Sequence, residues 1–486
     1  MSAIASASSV RSRQRFWRWA TLVHRYLGIG LGILVLAWCV SGIIMMYVQY
    51  PALDRGERLS ALQPLDLTDC CDFALNAHDA ALAVHSYSVE SLLGQPVLRL
   101  ALTSGEDRML SLADGAWLTN WDRQDLNAIG HHYAAARSWQ APVSGTLMER
   151  DQWTVHSRFN RHRPLLKFAN DDGFEWYVSS RSAEIVQVTA ASERWWNWLG
   201  SVTHWLYPTV LRQHTAIWAQ TVIWLTIVSV FLTITGLLIG IRQFTAKTTP
   251  RRSPYRGWTL WHHYVGLIFG VLTLSWLVSG FFSMNPWGTL ESRSFRAEAD
   301  RLSAVNASLG EVVVILRRLS DVPPYLPEGS VRLSSAYWLG EPYFLAWKAT
   351  EQVTRLSLLG SAAALTIADA QRAARTIRDT RAEITQLNAA DAFYYSHHDE
   401  REFPVFRLTY PNGDRYYLSP RSGQLLLGMD RNRRWYRWLF EALHRGDFHA
   451  IVRLRPLWDF MMLLALLGVS IGVGTGTYLG IKRLTK

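Results

Sequence analysis

The sequence predicts an α-helical membrane protein, a four-span bundle made of two parallel repeats that each run span, outer α+β domain, span. Three observations carry this expectation. Charged residues make up only 18% of the 486, against roughly 25% in a soluble chain. The deficit is concentrated in 26–47, 216–241, 265–284 and 457–481, each close to the ~20 residues that cross ~30 Å of hydrocarbon as a helix. The first half of the chain also recurs in the second, in register, and a period of that length means a duplicated architecture.

The spans come first, because their flanks set the orientation. Arg11, Arg13, Arg15 and Arg18 precede the first. Arg242, Lys247, Arg251, Arg252 and Arg256 separate the second from the third, and Lys482, Arg483 and Lys486 follow the fourth. Short basic flanks mark the cytoplasmic side, so both termini are expected inside and the two long segments outside. The first span lacks a small-residue cleavage signal and reads as an uncleaved signal anchor. The division is 1–50 (basic segment and first span), 51–213 (outer domain with interfacial helix), 214–241 (second span), 242–261 (cytoplasmic loop), 262–285 (third span), 286–455 (second outer domain with interfacial helix) and 456–486 (fourth span and C-terminal segment). The net charge of +11 is accounted for by these flanks. The lipid bilayer is the expected partner and nucleic acid is not.

Within the spans the repeat has an offset of 238 residues. His24, Tyr26, Gly28, Gly32, Trp38, Ser41 and Gly42 match His262, Tyr264, Gly266, Gly270, Trp276, Ser279 and Gly280. Beyond them the offset is 240: Asp151, Pro164, Arg194, His204, Trp218 and Gly236 match Asp391, Pro404, Arg434, His444, Trp458 and Gly476. Two crossings return the chain to one side, so both copies point the same way and are related by an axis along the membrane normal.

Each outer domain is expected to place a helix on a small antiparallel sheet. Residues 362–378 have helical composition, and 403–410 and 416–418 alternate around Pro411-Asn412-Gly413-Asp414, a hairpin signal. Asp171-Asp172-Gly173 marks the same turn in the first copy. Trp195, Trp196, Trp198, Trp205, Trp435 and Trp438 suit helices lying at the membrane surface. Three cysteines build no disulfide framework: Cys39 is expected to pack within its span, and Cys70 and Cys71 read as an incidental adjacent pair.

The sharpest features are two symmetric histidine pairs. His24 and His262 open the first and third spans, with Gly28 and Gly32, or Gly266 and Gly270, continuing roughly along the same face. A porphyrin between helices needs an imidazole on each side of its iron and small residues where the ring lies, and this pattern supplies both. The alternative is a pair of interfacial histidines beside a helix-packing Gly-x-x-x-Gly. His204 and His444 form a second pair on the outer side, before spans two and four. Gly42 lies five turns from His24, about 27 Å higher, which leaves room for a second ring there, unless these histidines merely pack an amphipathic helix. His263, His397 and His398 are weaker ligand candidates because the first copy has no histidine at the matching positions. His131, His132 and His156 could bind an iron complex or a second haem but read better as solvated loop residues, and His214 aligns with Leu454.

Other signals are discarded. The glycines of 28–32 and 468–480 lie inside spans, so they form no dinucleotide fingerprint. Asp459, at an outer end, is the only acidic residue in the spans; coupled transport needs carboxylates at mid-depth.

The double span-domain-span layout, the run from Arg434 through Trp438 to His444, and Tyr395-Ser396-His397-His398 resemble the PepSY-associated transmembrane family over nearly the whole chain. The resemblance implies two PepSY-like periplasmic domains, a multi-pass protein of the bacterial inner membrane, and kinship with haem-binding siderophore reductases. With the histidine pairs it leads to an expected di-haem electron conduit, carrying haem b, that reduces a periplasmic ferric siderophore with electrons from a quinol or a cytoplasmic reductase. The rivals are a non-enzymatic PepSY-type interaction protein and an iron-siderophore permease subunit.

Overall fold

The computed structural model describes residues 2–68, 70–245, 253–305, 307–321, 325–396 and 401–485, and the side chains of all of these except 2–11 and 245. His397 and His398 therefore lie outside the described residues, as do Lys247, Arg251, Arg252 and Lys486. The chain forms two compact units, one of Met1–Tyr50, Glu193–Glu291 and Asn432–Lys486, the other of Pro51–Ser192 and Ser292–Arg431.

Among the described residues, the first unit holds four long helices: α1 (Ser2–Met45), α2 (Thr215–Thr245), α3 (Trp258–Ser283) and α4 (Leu457–Leu484). Each is long and apolar enough to cross a membrane. All four outrun the apolar stretches read from the sequence, because their basic and aromatic flanks are themselves tolerable or good helix formers. Lys482 and Arg483 extend α4 at the C-terminal end, where cations oppose the helix dipole. The helices form a ring in which α1 and α3 each pack against both α2 and α4. Val35, Cys39 and Val469 are buried at its centre with Phe269 and Trp276 against them. Outside the ring, Trp195, Trp196, Trp198, Trp435 and Trp438 are exposed on Ala191–Leu199 and the helical segment from Arg431, the side chains an interfacial position would use.

Among the described residues, the second unit carries sixteen strands. From the first outer segment come β1 (Ala83–Leu92), β2 (Gln95–Leu102), β3 (Asp107–Ser111), β4 (Thr146–Met148), β5 (Leu165–Ala169), β6 (Phe174–Ser179) and β7 (Ile185–Ala190). From the second come β8 (Ala307–Ser308), β9 (Ser330–Ser335), β10 (Phe344–Lys348), β11 (Val353–Ser357), β12 (Gly360–Ser361), β13 (Glu383–Leu387), β14 (Val405–Thr409), β15 (Arg415–Leu418) and β16 (Leu425–Met429). The two outer segments, 51–213 and 286–455, share a sheet. The strands of both segments join in one antiparallel sheet of order β12-β11-β10-β9-β1-β2-β3, with β8 also on β1. The middle of β1 is buried on both faces, so it needs a partner on each edge. Its own hairpin supplies β2 through Leu93-Gly94, both at positive φ, and the other segment supplies β9.

Two further four-stranded sheets, β4-β5-β6-β7 and β13-β14-β15-β16, follow the 240-residue offset. Their hairpins turn at Asp171-Asp172-Gly173 and at Pro411-Asn412-Gly413, with φ +85° and +83° at the glycines. In one, Asp151 accepts from Tyr177 Oη at 2.6 Å and pairs with Lys167 at 3.3 Å. In the other, Asp391 accepts from Tyr417 Oη at 2.8 Å and pairs with Arg407 at 3.1 Å. The helix expected over 362–378 is Ile367–Ile377, starting where Thr366 and Asp369 form a capping box. Cys70 and Cys71, read as incidental, are joined by a disulfide; Cys71 takes positive φ, +72°, within a buried turn.

Candidate cofactor-binding site

The ring of helices lines a partly open cavity of about 860 Å³ that reaches from Thr21 and Arg483 at the basic end to Val35, Phe269 and Val469 in the core. That volume is in the range of about 300–1,000 Å³ typical of cofactor sites. His24 and His262 face each other in it with ring centroids 6.2 Å apart and planes 28° from parallel.

The two rings are held by equivalent bonds. His24 Nδ1 donates to the Leu232 carbonyl at 3.0 Å, and His262 Nδ1 donates to the Gly472 carbonyl at 3.0 Å, 240 residues further on. A carbonyl only accepts, so Nδ1 carries the proton and Nε2 keeps its lone pair. Thr235 and Thr475 donate to the same two carbonyls at 2.8 and 2.9 Å. A carbonyl behind the far nitrogen is how proteins orient a metal-ligating imidazole.

The outer pair repeats the pattern near the other end of α1 and α3. His204 Nδ1 reaches the Trp38 carbonyl at 3.0 Å and Ser41 Oγ at 3.2 Å. His444 Nδ1 reaches Ser279 Oγ at 3.0 Å and bonds the Trp276 carbonyl. The ring centroids are 6.0 Å apart, with planes at 74°. Burial pushes His204 down to about 4 against the pull of the Trp38 carbonyl. Burial, with His204 and Arg445 beside it, pushes His444 down to about 3. Both are therefore neutral at ordinary pH, the form that binds a metal. Their supports differ: Asn197 ties its helix to the Gln49 carbonyl at 2.8 Å, whereas the matching Arg437 sits in a wide π-turn and pairs with Asp447 at 3.3 Å.

The spacing leaves room for one metal ion held by both rings of a pair. A bond of ~2.0 Å from each imidazole nitrogen to such an ion would set the two ring centroids about 6 Å apart. Each pair offers two imidazole donors, which would hold a porphyrin iron if one is bound. The glycines divide into two roles. A Cβ on Gly28 would meet only Leu232 Cδ1 at 3.9 Å and one on Gly266 nothing within 4 Å, so both leave cavity space; on Gly32 and Gly270 it would strike Thr477 at 2.6 Å and Leu237 at 2.7 Å. The latter two let helices approach.

His263 is not brought to either pair as a free donor. Its Nε2 donates to the Gly240 carbonyl at 2.8 Å and its Nδ1 accepts from Ser253 Oγ at 2.8 Å, so both nitrogens are engaged. His131 bonds the Pro142 carbonyl at 2.8 Å, and His156 accepts from the Arg158 amide at 3.0 Å. Sequence reasoning missed Thr235, Thr475, Gly236 and Gly476 around the inner pair, although the 240-residue offset aligns them. Comparison with protein families, curated proteins and solved structures finds no match to the chain.

Proposed function

We propose that the chain is a membrane electron carrier of the b-type di-haem class. More particularly, we read it as an inner-membrane reductase that delivers electrons to a ferric-siderophore complex on the periplasmic side. The observation that carries this reading is the spacing of the two imidazole pairs, 6.2 and 6.0 Å between centroids, with Nδ1 anchored in all four rings. Haem, when bound, supplies reversible one-electron chemistry at iron. His24 and His262 would hold the inner group and His204 and His444 the outer one, each through Nε2. The carbonyls behind them fix tautomer and ring rotation, and the apolar helix faces keep water away. His24 and Trp38, whose carbonyl holds His204, are 14 residues apart on α1, about 21 Å, so the two pairs bracket most of a ~30 Å hydrocarbon core.

The basic helix ends favour a cytoplasmic position for the His24–His262 end and for both termini. The donor on that side would be a quinol or a cytoplasmic reductase. On the other side one electron converts Fe(III) to Fe(II), which hard oxygen donors hold less tightly, and the iron is released. The sheet-bearing unit would then be the PepSY-like periplasmic part.

The test is an absorption spectrum and pyridine haemochrome assay of the detergent-purified protein from haem-replete cells. Two b-type haems per chain are expected, with His24→Ala and His262→Ala each removing the same one. A colourless preparation would overturn the reading in favour of an interaction protein or a permease subunit.

A further inference from the structure

The symmetry that places the histidines breaks at the basic mouth of the inner cavity. Arg25 stands where the second copy has His263, and Lys482 and Arg483 stand where the first copy has Arg242 and Gln243. On the lip formed by α2 and α3, His263 is bonded at both nitrogens, and Arg242 lies 4.5 Å over the Trp17 ring. Among the described residues, that lip adds no Lys or Arg to the cavity lining.

The lip formed by α1 and α4 is the opposite. Gly480 packs against Ile29, and Gly32 against Thr477, with Cβ contacts of 3.1 and 2.6 Å. Continued by one turn, this antiparallel register brings Arg25 level with Arg483. Among the described residues, Arg25, Lys482 and Arg483 line the cavity and no Asp or Glu does. Arg25 is half-buried, and neither it nor Arg483 has a hydrogen-bond or ion-pair partner among the described residues; Lys482 rests 5.8 Å over the Tyr478 ring. Three cations beside a largely apolar cavity with no carboxylate of its own call for an anionic ligand.

We propose that Arg25, Lys482 and Arg483 are a carboxylate-binding lip that takes the propionates of the haem held by His24 and His262, and so selects one of the two ring orientations that a symmetric histidine pair alone would accept. This rests on the haem reading above and adds the group's orientation: its carboxylates leave between α1 and α4.

The experiment uses the full chain in detergent carrying His444→Ala, so that the inner pair alone reports. The apoprotein is loaded with haemin or with haemin dimethyl ester, and loss of each to excess apomyoglobin is followed by Soret absorbance. Haemin should leave at least about tenfold more slowly than its ester, the scale of a charged hydrogen bond. Replacing all three cations (Arg25→Gln, Lys482→Gln, Arg483→Gln) should bring haemin to the rate of the ester, while Arg242→Gln on the opposite lip leaves both rates as they were. The ester comparison needs no substitution in the lip and so does not depend on the triple variant folding. Equal rates in the protein with an intact lip, or a difference that survives the triple substitution, would overturn the proposal. Failure of both pigments to bind would instead overturn the haem reading, and the lip with it.

Discussion

Gly236 lies so close to His24 that a Cβ on it would stand 2.5 Å from the imidazole Cε1, and Gly476 stands in the same relation to His262 at 2.7 Å. A methyl at either position forces the ring off its carbonyl. Gly236→Ala or Gly476→Ala is therefore expected to cost the inner haem, since loss of an orienting contact lowers metal affinity by about 10- to 100-fold. Haem per chain by pyridine haemochrome reads this out. Gly30→Ala, which would meet nothing within 4 Å, is the control and should leave it unchanged.

For the outer pair, His444→Ala should lower haem content by about half and leave the His24–His262 spectrum in place. Reduction of the remaining haem from the basic side should persist, while reduction of an added external Fe(III) complex should stop. Full haem content with full Fe(III) reduction would remove the outer site from the scheme.

Glu184 supplies a pH test in the sheet-bearing unit. Burial alone would raise its carboxyl, but Arg99 and Arg58 hold it down to about 2. A carboxylate depressed in the folded state contributes stability above its unfolded value of 4.5, and that contribution is lost as pH falls from 4.5 towards 2. The thermal midpoint followed by circular dichroism should drop across that window, and Glu184→Gln should flatten the drop while lowering the midpoint at neutral pH.

Asp391 accepts from the Phe393 and Tyr394 amides at 2.8 and 2.7 Å as well as from Tyr417 and Arg407. Asp391→Ala strands a phenol and a guanidinium and should destabilise by about 3 kcal/mol, seen as a lower unfolding midpoint. Asp391→Asn, which keeps the amide contacts, should lose less.

Four apolar helices could be read from the sequence because hydrophobic runs are local signals, and the two histidine pairs because duplication put each member at a fixed distance from its twin. The partners of those histidines could not. Leu232, Gly472 and Trp38 act through backbone carbonyls, which any residue would supply, so nothing in their side chains marks them. Gly28 and Gly32 look alike in sequence; only the position of Thr477 separates the glycine that leaves space from the one that lets a helix in. The pairing of β1 with β9 was equally hidden, since antiparallel partners from distant segments share no turn.

That pairing has a consequence for biosynthesis. Ser88 lies opposite Ser334, so β1 keeps one edge open until 246 further residues, two spans among them, have been made. At about 5–20 residues per second the wait is roughly 12–50 s. During it a ten-residue strand, buried on both faces along its middle once folded, is a template for any passing chain. A first half made alone would leave that edge of β1 unpaired by β9.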